Sequence, residues 1–141
     1  MDVITLLLVY FIIILGPSIF NQPVYIRSHH NTYLSAFPNS AKVGLTPNMK
    51  EWEEWIIIPQ GGDRVVVKSR WNKYLSGSGV SLIKQANNIR NKEVWSLGTI
   101  NGKYVFTSPQ RTNIRAGPKG VVNLTRVLDD WEEWTIIPKR R

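Results

Sequence analysis

Apolar and polar residues alternate in short runs along most of this chain. In Val24-Tyr25-Ile26-Arg27 the aliphatic side chains fall on one side and Tyr25 and Arg27 on the other, the period of a half-buried strand. Trp55 and Ile57 likewise share a face against Ile56 and Ile58. Turn residues break the runs at His30-Asn31, Pro38-Asn39-Ser40, Pro47-Asn48 and Gly61-Gly62-Asp63. Further on they do so at Trp71-Asn72, Gly77-Ser78-Gly79, Asn87-Asn88, Asn101-Gly102 and Gly117-Pro118-Lys119-Gly120. Asn101-Gly102 is a hairpin signal, because both residues accept positive φ. Nothing in this part of the chain carries the period of a long helix. Over the first forty or so residues after Pro23 the alternation predicts strands at about 24–28, 32–36, 42–46 and 52–58.

The same block is written three times. The first copy runs Val24-Tyr25-Ile26-Arg27-Ser28, then Tyr33-Leu34-Ser35, and ends Glu53-Glu54-Trp55. The second runs Val65-Val66-Val67-Lys68-Ser69, then Tyr74-Leu75-Ser76, and ends Glu93-Val94-Trp95. The third runs Tyr104-Val105-Phe106-Thr107-Ser108, then Asn113-Ile114-Arg115, and ends Glu132-Glu133-Trp134. Ser28, Ser69 and Ser108 are 41 and 39 residues apart, and Trp55, Trp95 and Trp134 are 40 and 39 apart. Two independent markers therefore keep one period. No unit of about 40 residues buries its apolar face alone, so the copies must pack on one axis. The expected fold is all-β: a β-trefoil over residues 24–138, with four-stranded repeats at about 24–62, 63–102 and 103–138 and pseudo-threefold symmetry.

The tryptophans sort by copy. Trp55, Trp95 and Trp134 recur in all three and are expected in the core, where together they contribute on the order of several kcal/mol. Trp52 and Trp131 recur in two copies and suit either the core edge or a ligand platform. Trp71 stands where the other copies have His30 and Gln110, between Arg70 and Lys73, and is the candidate functional aromatic.

Val3–Leu15 is a run of 13 almost purely apolar residues, followed by the small residues Gly16 and Ser18. That reads as a secretory signal peptide over residues 1–18, cleaved after Ser18. Because Ile19-Phe20 extends the apolar stretch and no cation precedes it, an uncleaved anchor and a strand of the domain stay open. The leader or anchor reading places the domain in the secretory pathway, secreted or luminal, or membrane-anchored if the segment is retained.

The chain of 141 residues has a formal charge of +8 and no cysteine, which removes Cys nucleophiles and Cys-ligated zinc. The charge is uneven. Residues 24–62 carry three Lys/Arg against three Glu, whereas residues 63–102 carry seven against two and residues 103–141 eight against four. Such an excess suits a polyanionic partner. Lys68, Arg70, Lys73, Lys84, Arg90 and Lys92 in the second copy, with Arg111, Arg115, Lys119 and Arg126 in the third, form the basic set. Arg70-Trp71-Asn72-Lys73 sets an aromatic between two cations, a loop able to hold sulfate, phosphate or carboxylate while the ring stacks on a sugar or base. The candidate ligand residues are thus Lys68, Arg70, Trp71, Lys73, Arg111 and Arg115.

The stretches Ile26–Ser35 and Val67–Ser76 and the three Glu-x-Trp ends resemble the repeats of fascin-like domains, of the actin cross-linking β-trefoil superfamily. The resemblance covers about 115 residues. It implies a trefoil and, as a second functional reading, actin-filament binding or cross-linking. Ricin-type lectin trefoils end their repeats in Gln-x-Trp, where this chain has Glu53, Glu93 and Glu132.

Catalytic signals are sparse. His29 and His30, the only histidines, adjoin in a turn, and the carboxylates recur with the repeat, which suits structural roles. No catalytic residue, cofactor or metal ligand is expected. Asn123-Leu124-Thr125 is a candidate glycosylation sequon at Asn123. The functional expectation is a non-catalytic, monomeric binding module for an anionic or sulfated polysaccharide or cell-surface glycan. Nucleic acid is not expected as a partner, and a membrane only if the leader is retained.

Overall fold

The computed structural model of the chain describes residues 18–140. The run Val3–Leu15, read above as leader or anchor, lies outside the described residues, as does Arg141. No helix among the described residues is long and apolar enough to cross a membrane.

The described part is all-β, with twelve short strands in three sets of four. The first set is β1 (Pro23–Arg27), β2 (Tyr33–Ala36), β3 (Val43–Thr46) and β4 (Trp55–Gly61). The second is β5 (Arg64–Ser69), β6 (Tyr74–Ser76), β7 (Lys84–Ala86) and β8 (Trp95–Ile100). The third is β9 (Lys103–Thr107), β10 (Asn113–Ala116), β11 (Val122–Thr125) and β12 (Thr135–Pro138). The fourth strand of the first set starts at Trp55 rather than near residue 52, because a single 3₁₀ turn precedes it, and the other two sets carry the same turn. These turns span Glu51–Glu53, Asn91–Glu93 and Asp130–Glu132, so Trp52 sits in a turn.

Six strands follow one another round a nearly closed barrel-like sheet. β1 pairs with β4, β4 with β5, β5 with β8 and β8 with β9, all antiparallel. β12 returns to β1 over the register Val24–Pro138 to Arg27–Thr135. The seam between β9 and β12 is held by one bridge, in which Tyr104 and Trp134 exchange both backbone hydrogen bonds at 2.8 Å. The other six strands form the hairpins β2–β3, β6–β7 and β10–β11.

Inward-facing positions of all three sets meet in one core. Val24, Ile26, Ile57, Val65, Val67, Phe106 and Ile136 come from the barrel strands; Leu34, Leu75, Ile114 and Leu124 come from the hairpins. Trp55, Trp95 and Trp134 are at most 1% exposed. Each indole nitrogen donates to a hairpin carbonyl: Trp55 to Leu34 at 2.8 Å, Trp95 to Leu75 at 3.0 Å and Trp134 to Ile114 at 3.0 Å. A buried indole N–H needs such a partner, and the same bond fastens each hairpin to the barrel.

The glutamates of the Glu-x-Trp ends are buried too. Each accepts the backbone N–H three residues earlier: Glu53 from Lys50 at 3.0 Å, Glu93 from Arg90 at 2.7 Å and Glu132 from Asp129 at 2.6 Å. This bond stabilises the 3₁₀ turn. The second oxygen of Glu53 accepts from Ser35 Oγ at 2.6 Å, and that of Glu93 from Ser76 Oγ. The repeat-wise carboxylates therefore hold turn to hairpin.

Candidate binding site

The turn after the first strand of each repeat is built on its serine. Ser28 N–H donates to the Thr32 carbonyl, Ser69 to Lys73 and Ser108 to Thr112, at 2.7–2.8 Å. The third residue after the serine takes positive φ in every copy: Asn31 at 61°, Asn72 at 57° and Arg111 at 62°. Asparagine tolerates the left-handed region; arginine, with its long side chain, does so at a cost.

These turns reach across to the neighbouring repeat. Trp71 is half-buried, and its indole N–H donates to the carbonyl of Ala36 at 2.8 Å. Its counterpart His30 places Nε2 3.1 Å from the carbonyl of Ala116. Ala36 and Ala116 both close the second strand of their repeats. Trp71 and His30 are thus inter-repeat struts, and the Trp71 ring presents only part of its surface to solvent. Lys73 follows Trp71 onto the first repeat, with Nζ 3.4 Å from the Ser40 carbonyl. Arg70 is about half exposed and lies 3.8 Å from the exposed Glu51. Lys68 lies within β5, opposite Ile56 and Tyr74.

Arg115 belongs to a different cluster. It takes the hairpin position of Ser35 and Ser76, with Nε 3.9 Å from Glu132 and its guanidinium 4.7 Å from the Trp131 ring centroid. His30 meets the same indole edge-on at 4.8 Å. Arg115 Nη1 also lies 3.4 Å from Oδ1 of Asn123, the sequon residue, which is half-buried in β11. Burial raises the Glu132 carboxyl above its ordinary value, opposed by the Asp129 N–H and by the charge of Arg115.

Arg111 lines a groove of about 530 Å³ between the second and third repeats. Arg64, Asn91, Ser96 and Gln110 line it as well, and Trp95 forms part of its floor. No Asp or Glu lines it, and neither arginine has a carboxylate within 4.0 Å among the described residues. Alternation did not single out Arg64; its only sequence signal was the charge excess of the second repeat.

A second groove, of about 710 Å³, contrasts with it. Tyr25, Met49 and the exposed Trp52 line it, together with Glu51, Glu53 and Glu54. Lys139 closes it with a 2.9 Å bond to Glu54. That hydrogen bond and the attached charge hold the ammonium above the usual lysine range. With Lys50 its lining sets two ammonium groups against three carboxylates, so it lacks the unopposed positive charge of the arginine groove.

The six sequence candidates thus fall at three places. Lys68, Arg70, Trp71 and Lys73 lie in the seam toward the first repeat, Arg115 in its own stack, and Arg111 in the arginine groove. Among the described residues no group of three or more His, Asp or Glu is placed to hold a metal ion. No family model and no curated protein matches the chain.

Proposed function

We propose that this chain is a non-catalytic β-trefoil binding module that recognises a sulfated or otherwise anionic glycan. The six-strand barrel path with three hairpins supports the trefoil, as do the three equivalent Trp–carbonyl bonds.

The observation that carries the ligand class is the groove holding Arg64 and Arg111 with no carboxylate. Two guanidinium groups offer paired donors to sulfate or carboxylate, while Asn91, Ser96 and Gln110 supply the neutral donors and acceptors that sugar hydroxyls require. Titration calorimetry with a heparin-type oligosaccharide tests the reading. Arg64→Glu and Arg111→Glu are each expected to weaken binding at least tenfold, and unchanged affinity in both overturns it.

Actin-filament binding, within the fascin-like superfamily, is the second reading. It is favoured by the shared serine-anchored turns and buried Glu-x-Trp ends, the residues that carry the resemblance. Co-sedimentation with filamentous actin separates it from glycan binding, since only the first reading is competed by free oligosaccharide.

A further inference from the structure

The three hairpins form a second cationic surface that the glycan reading does not use. They are hydrogen-bonded to one another: Gln85 N–H to the Ala41 carbonyl at 2.9 Å, Ile83 to Val122 at 3.0 Å and Leu124 to Ser81 at 3.0 Å. Where they meet, a groove of about 530 Å³ is lined by Lys42, Lys84 and Lys119, one lysine from each repeat, and by no carboxylate. None of the three has a carboxylate within 4.0 Å among the described residues.

This grouping works against stability. Lys42 and Lys84 face each other across an antiparallel bridge, and like charges so placed repel. The Phe37 ring, 4.8 Å from Lys42 Nζ, offsets this in part. Lys119 has φ of 58°, in the left-handed region. Three cations are thus gathered without an internal counter-charge, which is the arrangement expected of a surface that meets an external anion.

Apolar side chains stand beside them. Leu82 is 66% exposed and Val121 41%, and both line the same groove. By hairpin register they take the position that Lys42 takes in the first repeat, immediately before the buried Val43, Ile83 and Val122. A soluble polyanion pairs with the lysines but gains nothing from Leu82 and Val121. An anionic bilayer uses both, with lysines at lipid headgroups and apolar tips in the interfacial layer. We propose that the hairpin end of this protein docks on an anionic lipid surface through Lys42, Lys84 and Lys119, with Leu82 and Val121 entering the headgroup region.

The test uses the full chain and vesicles of phosphatidylcholine, with or without 30% phosphatidylserine (a composition on the order of an anionic leaflet). The apolar N-terminal run contributes alike to both, so the difference between them is read. At least about tenfold more protein is expected to sediment with the anionic vesicles. Lys84→Glu turns the repulsive pair with Lys42 into an attractive one, so the variant folds, and it is expected to lose most of that difference. Arg64→Glu and Arg111→Glu are expected to keep it, which separates this surface from the glycan groove. Because the chain has no cysteine, Leu82→Cys carries a single environment-sensitive dye. Its emission is expected to shift to the blue on anionic vesicles, while a dye at Thr99→Cys does not respond. Equal sedimentation with both vesicle types overturns the proposal, as does full retention by Lys84→Glu. Sedimentation without a blue shift at position 82 also overturns it, and points instead to a polyanion site that no bilayer enters.

Discussion

Arg115 Nε lies 3.9 Å from Oε2 of Glu132, in the place where Ser35 and Ser76 donate to Glu53 and Glu93. One repeat has thus exchanged a hydroxyl–carboxylate bond for an ion pair around the same buried glutamate. Arg115→Ala leaves a carboxylate that is almost fully buried with only its backbone donor. A loss of about 2–3 kcal/mol is expected. Arg115→Ser restores the donor of the other repeats and is expected to cost less than half as much. Urea unfolding of the two variants checks the order.

The same carboxylate gives a pH dependence of defined sign. The Glu132 pKa is raised in the folded protein above its ordinary value of 4.5. The folded state therefore holds this proton to higher pH than the unfolded state does. Its contribution to stability is greatest below 4.5 and is lost as pH rises from there through the raised folded value. Glu132→Gln abolishes that titration. The stability of the variant relative to wild type is expected to rise across this window and then level off, as read from unfolding midpoints at a series of pH values.

Trp71 and His30 do the same work at neighbouring seams, each bonding the alanine carbonyl that ends a hairpin strand. Trp71→His is therefore expected to keep the inter-repeat bond and lose mainly apolar contact. Trp71→Leu leaves the Ala36 carbonyl without its donor and is expected to cost about 1 kcal/mol more. Thermal melts of the two variants decide it.

Arg111 occupies a left-handed position that the other two repeats give to asparagine. Arg111→Asn is expected to stabilise the protein by about 1 kcal/mol while weakening glycan binding. A rise in melting temperature paired with lower affinity in calorimetry is the expected result. A rise in both removes Arg111 from the glycan groove.

Much of the architecture was legible in residue order. Alternation and the 39–41 residue period marked the strands, and the triplet Trp55, Trp95 and Trp134 marked the core, because both follow from which face of a strand is buried. The strand limits before Trp55, Trp95 and Trp134 were not legible. They depend on Glu53, Glu93 and Glu132 folding back onto backbone amides, a bond that alternation does not encode.

Sequence alone determined the repeat, the strand content, the identity of the core tryptophans and the excess charge of the second and third copies. Tertiary structure decided where that charge acts. It turned Trp71 and Lys73 toward the first repeat, stacked Arg115 on Trp131, and left Arg64 and Arg111 facing one groove. It also brought together Lys42, Lys84 and Lys119, which hold different positions in their repeats and so coincide in no alignment of the copies. The physical reason is that a period records what each repeat does for its own strands. Contacts across the seams between repeats depend on which unlike loops the tertiary fold brings together.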